Sequence, residues 1–114
     1  METTVDILPK QGKSLCVIGG VFFYVLDGSI FAVEIDKFVS NPDVLHPKFL
    51  TLDEEFSNSG IKFVVVLEDS QQIQISNNAG SLATINYENG DTVYMKQGTG
   101  LVKVSDGETT HYKL

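Results

Sequence analysis

Short apolar runs separated by turn residues recur along almost the whole chain. Val, Ile, Phe, Tyr and Thr dominate these runs, and pairs such as Asp27-Gly28 and Asn89-Gly90 separate them. Branched and aromatic residues bounded by such pairs are typical of strands joined in β-hairpins. The pattern predicts strands near residues 3–8, 14–18, 21–26, 29–35, 61–67, 71–76, 82–87, 92–97, 101–105 and 108–113.

Side-chain alternation predicts the register of the hairpin formed by 82–97. A three-residue loop would pair Ile85 with Val93 and Ala83 with Met95, which keeps one face apolar, because directly opposed residues share a face. We therefore expect a type I turn with a bulge and a positive φ at Gly90.

The last hairpin gives the same answer. A three-residue loop at 105–107 places Val102 and Val104 on the same face as Thr110 and Tyr112. Between the inward residues of both hairpins lie positions expected to face water: Thr84, Asn86, Thr92, Tyr94, Lys96 and Lys103. Such strands have one face on the core and one in solvent.

The strands of the N-terminal part are different, because they are apolar on both faces. In 21–26 every residue is apolar, and 30–35 is nearly so. Strands of this kind need a covering layer on each side. We expect that layer to be either the 36–60 segment or another subunit.

The 36–60 segment is the irregular part of the chain. Pro42 and Pro47 prevent a long helix, whereas the order Thr51, Leu52, Asp53, Glu54 resembles a capping box and predicts a helical turn at 52–57. A 25-residue excursion between strands is long, and long excursions are often binding or packing elements.

Together these patterns predict an all-β fold. We expect an antiparallel β-sandwich or barrel built from successive hairpins, with one long irregular loop (36–60) that carries at most a short helix. A chain of 114 residues is long enough to enclose one core, so we expect a single β domain over 1–114.

Charge narrows the range of partners. The chain has no arginine, and its eight lysines are outnumbered by 15 Asp and Glu, which gives a net charge of −7. Arginine is the usual residue for binding phosphate and carboxylate, and basic patches mark nucleic-acid binding. We therefore expect no nucleic-acid partner and no membrane partner.

The uncharged stretch 14–26 predicts neither a membrane-spanning helix nor a signal peptide. Its 13 residues are fewer than the about 20 that a membrane-spanning helix needs. No small-residue cleavage site follows it, so we expect no cleavable signal peptide. The compartment that suits the chain is a virion or the host cytoplasm.

Candidate catalytic chemistry is sparse. A nucleophile would have to be Cys16 or a serine beside His46 or His111, and none lies in a recognised motif. Three Cys and His residues, widely scattered, do not predict a zinc site, and the chain lacks a calcium-loop spacing. We expect no enzyme activity, no catalytic residue, no metal and no cofactor.

The function that these observations favour is a non-catalytic structural module that is acidic, packs against other protein and forms a homo-oligomer or joins other assembly subunits. A small virion component of the bacteriophage type, such as a capsid decoration, head–tail joining or tail protein, suits the chain. The residues expected at its interface are large apolar ones: Phe22, Tyr24, Leu26, Phe38, Leu45, Phe49 and Phe56. The alternative is that loop and strand cover each other inside one monomer.

Two other classes of function stay open. An acidic inhibitor or regulator would bind a basic protein surface through residues such as Glu34, Asp36, Asp53 and Glu54. A small-ligand or glycan-binding sandwich would need a pocket lined by Tyr24, Tyr87 or Tyr94, although the chain has no Trp to stack on a sugar.

Overall fold

The fold is all-β, as the sequence predicts. A computed structural model describes residues 6–96, 100–105 and 108–112, and within these ranges it contains ten strands, two short helices and one 3-10 turn. All strand pairs are antiparallel and form two sheets, of four and six strands. The chain divides into two compact units, Met1–Leu52 and Asp53–Leu114, while the expectation of one domain stays a prediction.

The first unit contains the four-stranded sheet. Its elements, in chain order, are β1 (Lys13–Ile18), β2 (Val21–Leu26), β3 (Ser29–Glu34), α1 (Ile35–Ser40) and β4 (Lys48–Thr51). The strands lie in sequence order, β1-β2-β3-β4. The strand expected at 3–8 is not seen at 6–8, and residues 3–5 lie outside the described ranges.

Both faces of β2 and β3 are buried, which confirms the expectation from their continuous apolar sequence. Phe23 and its neighbour Tyr24 point to opposite faces, and they are 4% and 2% exposed. On the Tyr24 face, Phe38 from α1 and Val33 complete a cluster. Ile7, Leu8 and Val44 pack against this cluster. The cover on this face therefore comes partly from the 36–60 segment.

The 36–60 segment is more regular than expected. A helix at Glu54–Asn58 confirms the predicted helical turn, but Asp53 rather than Thr51 caps it. The helix α1 and the strand β4 were not predicted. The pattern does not predict β4 because the strand is only four residues long and follows Pro47. The Pro47 carbonyl accepts the Ala32 N–H of β3 at 3.0 Å.

The second unit contains the six-stranded sheet. Its elements are α2 (Glu54–Asn58), β5 (Ile61–Leu67), a 3-10 turn (Glu68–Ser70), β6 (Gln72–Asn77), β7 (Leu82–Asn86), β8 (Thr92–Lys96), β9 (Gly100–Ser105) and β10 (Glu108–Tyr112). The strands follow one another as a meander, so β5 and β10 are the edges. One face of this sheet carries fully buried side chains: Ile73, Ile75, Ala83, Ile85 and Tyr94.

The register predicted for the β7–β8 hairpin is wrong by one residue. Ala83 lies opposite Tyr94, and Ile85 lies opposite Thr92. Thr92 and Tyr94 are therefore buried on the inner face instead of facing water, and Met95 points outward. Lys96 follows the same alternation and lies half-buried on the inner side.

The reason for the shift is the chemistry of the loop. The Asn86 side-chain oxygen accepts the N–H groups of Glu88 and Asn89, at 2.9 and 3.1 Å. This Asx turn adds a fourth loop residue, because the Asn86 N–H pairs with the Asp91 carbonyl at 2.8 Å. The positive φ expected at Gly90 is confirmed, at 82°.

The register predicted for the β9–β10 hairpin is also wrong by one residue. Lys103 lies opposite Thr110, and Val102 lies opposite His111. Ser105 pairs directly with Glu108, so only two residues separate the strands. These two, like the turn expected around Gly98 and Thr99, lie outside the described residues. A shift of one residue moves every side chain of a strand to the other face.

Candidate protein-binding surface

The face of the six-stranded sheet opposite Ile73 and Ile85, which we call the outer face, is arranged in two rows by the strand pairing. The first, the apolar row, crosses all six strands through directly paired residues: Phe63, Ser76, Leu82, Met95, Leu101 and Tyr112. The second row runs beside it: Val65, Gln74, Thr84, Val93, Lys103 and Thr110. Because strands lie about 4.8 Å apart, six strands make each row about 24 Å long.

The apolar row is open to solvent at its centre and at both ends. Phe63 is 63% exposed, and Met95 and Tyr112 are each 50% exposed. Leu82 and Leu101 between them are half-buried. The row is interrupted by Ser76, between Phe63 and Leu82. An exposed band of large apolar side chains is typical of interaction sites.

The two rows are also almost without charge. Among their twelve side chains, Lys103 is the one of a charged type. Two carboxylates lie just beyond the second row: Glu108 is paired with Ser105, and Asp91 accepts the Ser105 hydroxyl at 2.9 Å. The chain as a whole carries a net charge of −7, so two rows without a carboxylate differ from the rest. Depletion of charge, together with Phe, Tyr and Met, is the composition found at the centres of protein–protein interfaces.

The edge strand β5 extends this surface to the limit of the sheet. Phe63, Val65 and Leu67 alternate as exposed apolar residues along it. Natural proteins usually protect an edge of this kind with charge or proline, because it can pair with another chain. Lys62 is the one charged residue within β5, and its ammonium lies 5.5 Å from the Phe63 ring.

Of the seven residues predicted as an interface from the sequence, three are buried and four are partly or fully exposed. Tyr24, Phe38 and Phe56 are buried within a single chain. Three others are half-buried: Phe22, Leu26 and Phe49. Leu45 is exposed, at 89%. The three buried residues are packed inside one chain, whereas an interface formed by the seven residues stays a prediction.

Tyr24 shows how that interior is built. Its hydroxyl lies 2.7 Å from His46 Nδ1, and its ring stacks on Phe31 with centroids 5.3 Å apart. The His46 ring makes edge contacts with both Tyr24 and Phe38. Burial raises the pKa of Tyr24, because the phenolate is less well solvated than in water. His46 is therefore used in packing the four-stranded sheet.

The other tyrosines considered for a ligand pocket are also engaged within the chain. The Tyr94 hydroxyl accepts the Asp53 N–H at 2.9 Å, and burial raises the pKa of Tyr94. The Tyr87 hydroxyl donates to the Glu68 carbonyl at 3.4 Å. These hydrogen bonds fix the tyrosines as structural residues of the second unit.

Two of the four carboxylates named for an acidic inhibitor form ion pairs within the chain. Glu34 lies 3.2 Å from the Lys37 ammonium. Asp53 lies 3.0 Å from Lys96, and it also accepts the Phe56 N–H at the start of α2. Local pairing and helix capping explain the positions of these two acids.

Cys16 is poorly suited to act as a nucleophile. The residue is half-buried in β1, and desolvation raises the pKa of its thiol to about 11. At neutral pH the thiol is therefore protonated, whereas the thiolate is the reactive form. Over the part of the chain that the structure describes, no group of three or more His, Cys, Asp or Glu residues could hold a metal ion.

The first unit also has an open groove of about 480 Å³. It is lined by Asp6, Ile7, Leu8, Pro9, Lys10, Val17, Phe22 and Ile35. Val17 is the large exposed apolar residue among them. The groove places Asp6 and Lys10 beside mostly aliphatic side chains, which is not the convergent set of polar groups that a ligand pocket needs.

Sequence reasoning missed the outer face because the face exists only through the register. Phe63, Met95 and Tyr112 are far apart along the chain and become members of one row by cross-strand pairing. The one-residue errors in both hairpins placed Met95 and Tyr112 on the inner side. The Asx-turn potential of Asn86 was the signal that could have corrected the first of them.

The comparisons with known proteins give no relative: no family model, no curated protein and no solved structure matches the chain. Among the described residues, no helix is both long and apolar enough to cross a membrane.

Proposed function

We propose that this chain is a non-catalytic structural module that docks onto other protein through the outer face of its six-stranded sheet. The observation that carries the proposal is the apolar row, about 24 Å of paired side chains exposed at Phe63, Met95 and Tyr112. Burying these side chains in a partner would remove apolar surface from water, which is the main favourable term in most protein association.

The chemistry of the outer face favours protein over other partners. Lys103 is a single cation, whereas backbone binding to nucleic acid uses several lysines or arginines at once. Tyr and Met in the apolar row are residues enriched at protein interfaces, and the Gln and Thr side chains of the second row can hydrogen-bond at its rim. The partner that this face fits is therefore another folded protein surface.

The thiol of Cys16 supports a non-catalytic role. The residue is the only cysteine of the chain, and its raised pKa keeps it in the unreactive form at neutral pH. His46, the histidine in contact with Tyr24 and Phe38, is committed to packing.

In its more specific form, the proposal is that the chain is a virion component of the bacteriophage type. A capsid decoration, head–tail joining or tail subunit must be small, stable and able to present one face to its neighbours. The length, the all-β fold and the exposed apolar row support this form of the proposal. Its site of action would then be the virion or the host cytoplasm.

Site-specific photocrosslinking tests whether the outer face binds protein. Benzoylphenylalanine replaces Tyr112 in the apolar row, and in a control chain it replaces Val39, which is 71% exposed on α1. Both purified chains are irradiated alone and in a lysate of the source cells. The proposal predicts an adduct at position 112, absent at position 39 and lost when Met95→Glu is added to the same chain. An equal yield at both positions, or no adduct at either, would overturn it.

A further inference from the structure

We infer that the occupant of the outer face is a second copy of this chain, related to the first by a two-fold axis that runs close to the strand direction. The inference rests on the proposed function, because it names the partner of the same surface. It follows from the distribution of charge over the chain and from the order of residues along the two rows.

The first argument is electrostatic. Two copies, each with a net charge of −7, repel one another, and like charges brought together at an interface are unfavourable. The two rows of the outer face contain no carboxylate, so two copies can meet there without burying one acid against another. A partner of opposite charge would instead be expected to bind where the acids are, beside residues such as Glu54 and Glu55 on α2.

The second argument is the self-complementarity of the apolar row. Antiparallel sheets pack face to face with their strands roughly aligned. A two-fold axis along the strands places each row of one copy over the same row of the other. It also reverses the strand order, so that β5 of one copy lies over β10 of the other. Phe63 then lies over Tyr112 of the second copy at both ends of the row.

The centre of the row is also matched, while between the centre and each end Ser76 lies over Leu101 of the second copy. The axis passes between β7 and β8, the two middle strands, where Leu82 and Met95 are a directly opposed pair. Met95 of each copy then lies over Leu82 of the other. In the second row, Lys103 lies over Gln74 of the second copy, so the one charged side chain of the rows meets an amide and not another lysine.

The other possible two-fold axis, across the strands, makes a poorer interface. It would retain the strand order and place the apolar row of one copy over the second row of the other. Leu101 would then be buried against Lys103, and Leu82 against Thr84. The axis along the strands avoids both contacts because the apolar rows of the two copies meet each other.

The size of the face determines the strength of the expected dimer. Two rows span about 24 Å by about 14 Å, so the dimer would bury less than the about 1,200 Å² typical of stable complexes. We therefore expect reversible association with a Kd of about 100 µM, of the kind that is reinforced when many copies sit side by side.

Sedimentation velocity between about 10 µM and about 1 mM tests the association itself, with the full chain alone in solution. The wild-type chain is expected to shift from monomer to dimer across this range. Met95→Glu is expected to weaken the dimer at least about tenfold, since it places a charge at the centre of the apolar row. Val39→Glu, the matched control on exposed α1, is expected to dimerise as the wild type does.

A mixing experiment tests the two-fold arrangement. Phe63→Glu and Tyr112→Lys are each expected to weaken the homodimer, because each alters both ends of the row. Mixed in equal amounts, the two chains should associate more tightly than either alone. At one end of the mixed dimer the introduced carboxylate lies over the introduced ammonium, and the other end retains Phe63 over Tyr112. Both positions are at least half exposed, so neither change should disturb folding.

Each outcome decides between the two proposals. A monomer at every concentration, together with a photoadduct to a different protein at position 112, would overturn the second copy as partner and leave the docking function standing. A monomer without any adduct would overturn both. A dimer that Met95→Glu leaves intact, or variants whose mixture gains nothing, would show that the copies do not meet in this arrangement.

Discussion

The two sheets of this protein handle their apolar residues in different ways. In the four-stranded sheet, β2 and β3 carry buried side chains on both faces, as at Phe23 and Tyr24. In the six-stranded sheet, one face is buried around Ile73 and Ile75, whereas the opposite face exposes large apolar residues such as Met95. The four-stranded sheet is thus more apolar in sequence, but it exposes less apolar surface than the six-stranded sheet.

The difference shows that an apolar run and an exposed apolar surface are separate properties. A strand that is apolar on both faces is buried by other segments of the same chain. Here Phe38 of α1 and His46 pack against Tyr24. An alternating strand is assumed to turn its polar side to water. When the outward positions of several such strands are apolar, they form an exposed apolar surface. Its residues are far apart in the sequence, so no single segment predicts it.

Truncating aromatic residues on the two faces of β2 should have the largest effect. Phe23→Ala and Tyr24→Ala are each expected to lower the free energy of unfolding by about 3–5 kcal/mol, because each leaves a cavity beneath a covered face. Urea denaturation followed by circular dichroism measures the change. Leu45→Ala, at an exposed position, is the control and should stay within about 0.5 kcal/mol of the wild type. If one aromatic variant behaved like Leu45→Ala, one face of β2 would be uncovered.

Substitutions on β5 and β6 should lower stability by different amounts on the two faces of the six-stranded sheet. Ile75→Ala, on the inner face, is expected to lower the free energy of unfolding by about 2–5 kcal/mol. Val65→Ala, on the outer face and half exposed, should cost less than about 1 kcal/mol in dilute solution. Chemical denaturation of both variants at the same low concentration makes the comparison. Equal losses would contradict an outer face that is open in the monomer.

Removing the Tyr94 hydroxyl tests whether its hydrogen bond to the Asp53 N–H stabilises the fold. Tyr94→Phe deletes the oxygen that accepts the Asp53 N–H at the start of α2, so it should cost about 1–2 kcal/mol. Tyr112→Phe removes a hydroxyl from a half-exposed side chain of the outer face and should leave stability unchanged. Thermal unfolding of the two variants beside the wild type distinguishes them. Identical melting curves for all three would exclude a structural role for the Tyr94 hydroxyl.

The last effect expected is an alkaline loss of stability, which appears only above about pH 9. Burial raises the pKa of Cys16 from 9.0 to about 11, so between these values the folded chain retains a proton that the unfolded chain has released. The contribution is therefore fully present below pH 9 and is lost as the pH rises through about 11. The raised pKa values of Tyr24 and Tyr94 act in the same direction at higher pH.

Urea midpoints measured between about pH 8 and about pH 11 check this sign. Stability should fall over this range, and Cys16→Ala should fall less steeply, since it has no thiol to titrate. A midpoint that rises with pH, or a Cys16→Ala slope equal to that of the wild type, would contradict the assigned cause.

Sequence reasoning recovers the fold class because it depends on local patterns. Strand composition and turn pairs predict nine of the ten strands that the structure describes, and the capping signal predicts α2 to within a few residues. The strand β4 was missed because it is four residues long and follows Pro47 directly. Its pairing with β3, rather than any propensity of its own, makes it a strand.

The candidate surface could not be predicted in the same way. It depends on register, and register depends on single loop residues: the Asn86 side chain adds one residue to a loop and thereby turns Met95 outward and Tyr94 inward. Alternation favours the three-residue loop, because that register places Val93 and Met95 on the apolar face. The hydrogen bonds of the Asn86 side chain favour the longer loop that the structure contains.

The methyl group of Met95 offers the most direct test of the central claim, that the outer face is the surface through which this chain associates. The chain contains two methionines, Met1 and Met95, so methyl-labelled methionine gives a simple spectrum with one reporter in the apolar row. On concentration from about 10 µM to about 1 mM, the account predicts that the Met95 signal shifts and becomes protected from a soluble paramagnetic agent. The same signal should not move in the Phe63→Glu variant. A Met95 methyl that stays equally accessible at every concentration, while the solution mass rises, would contradict the account.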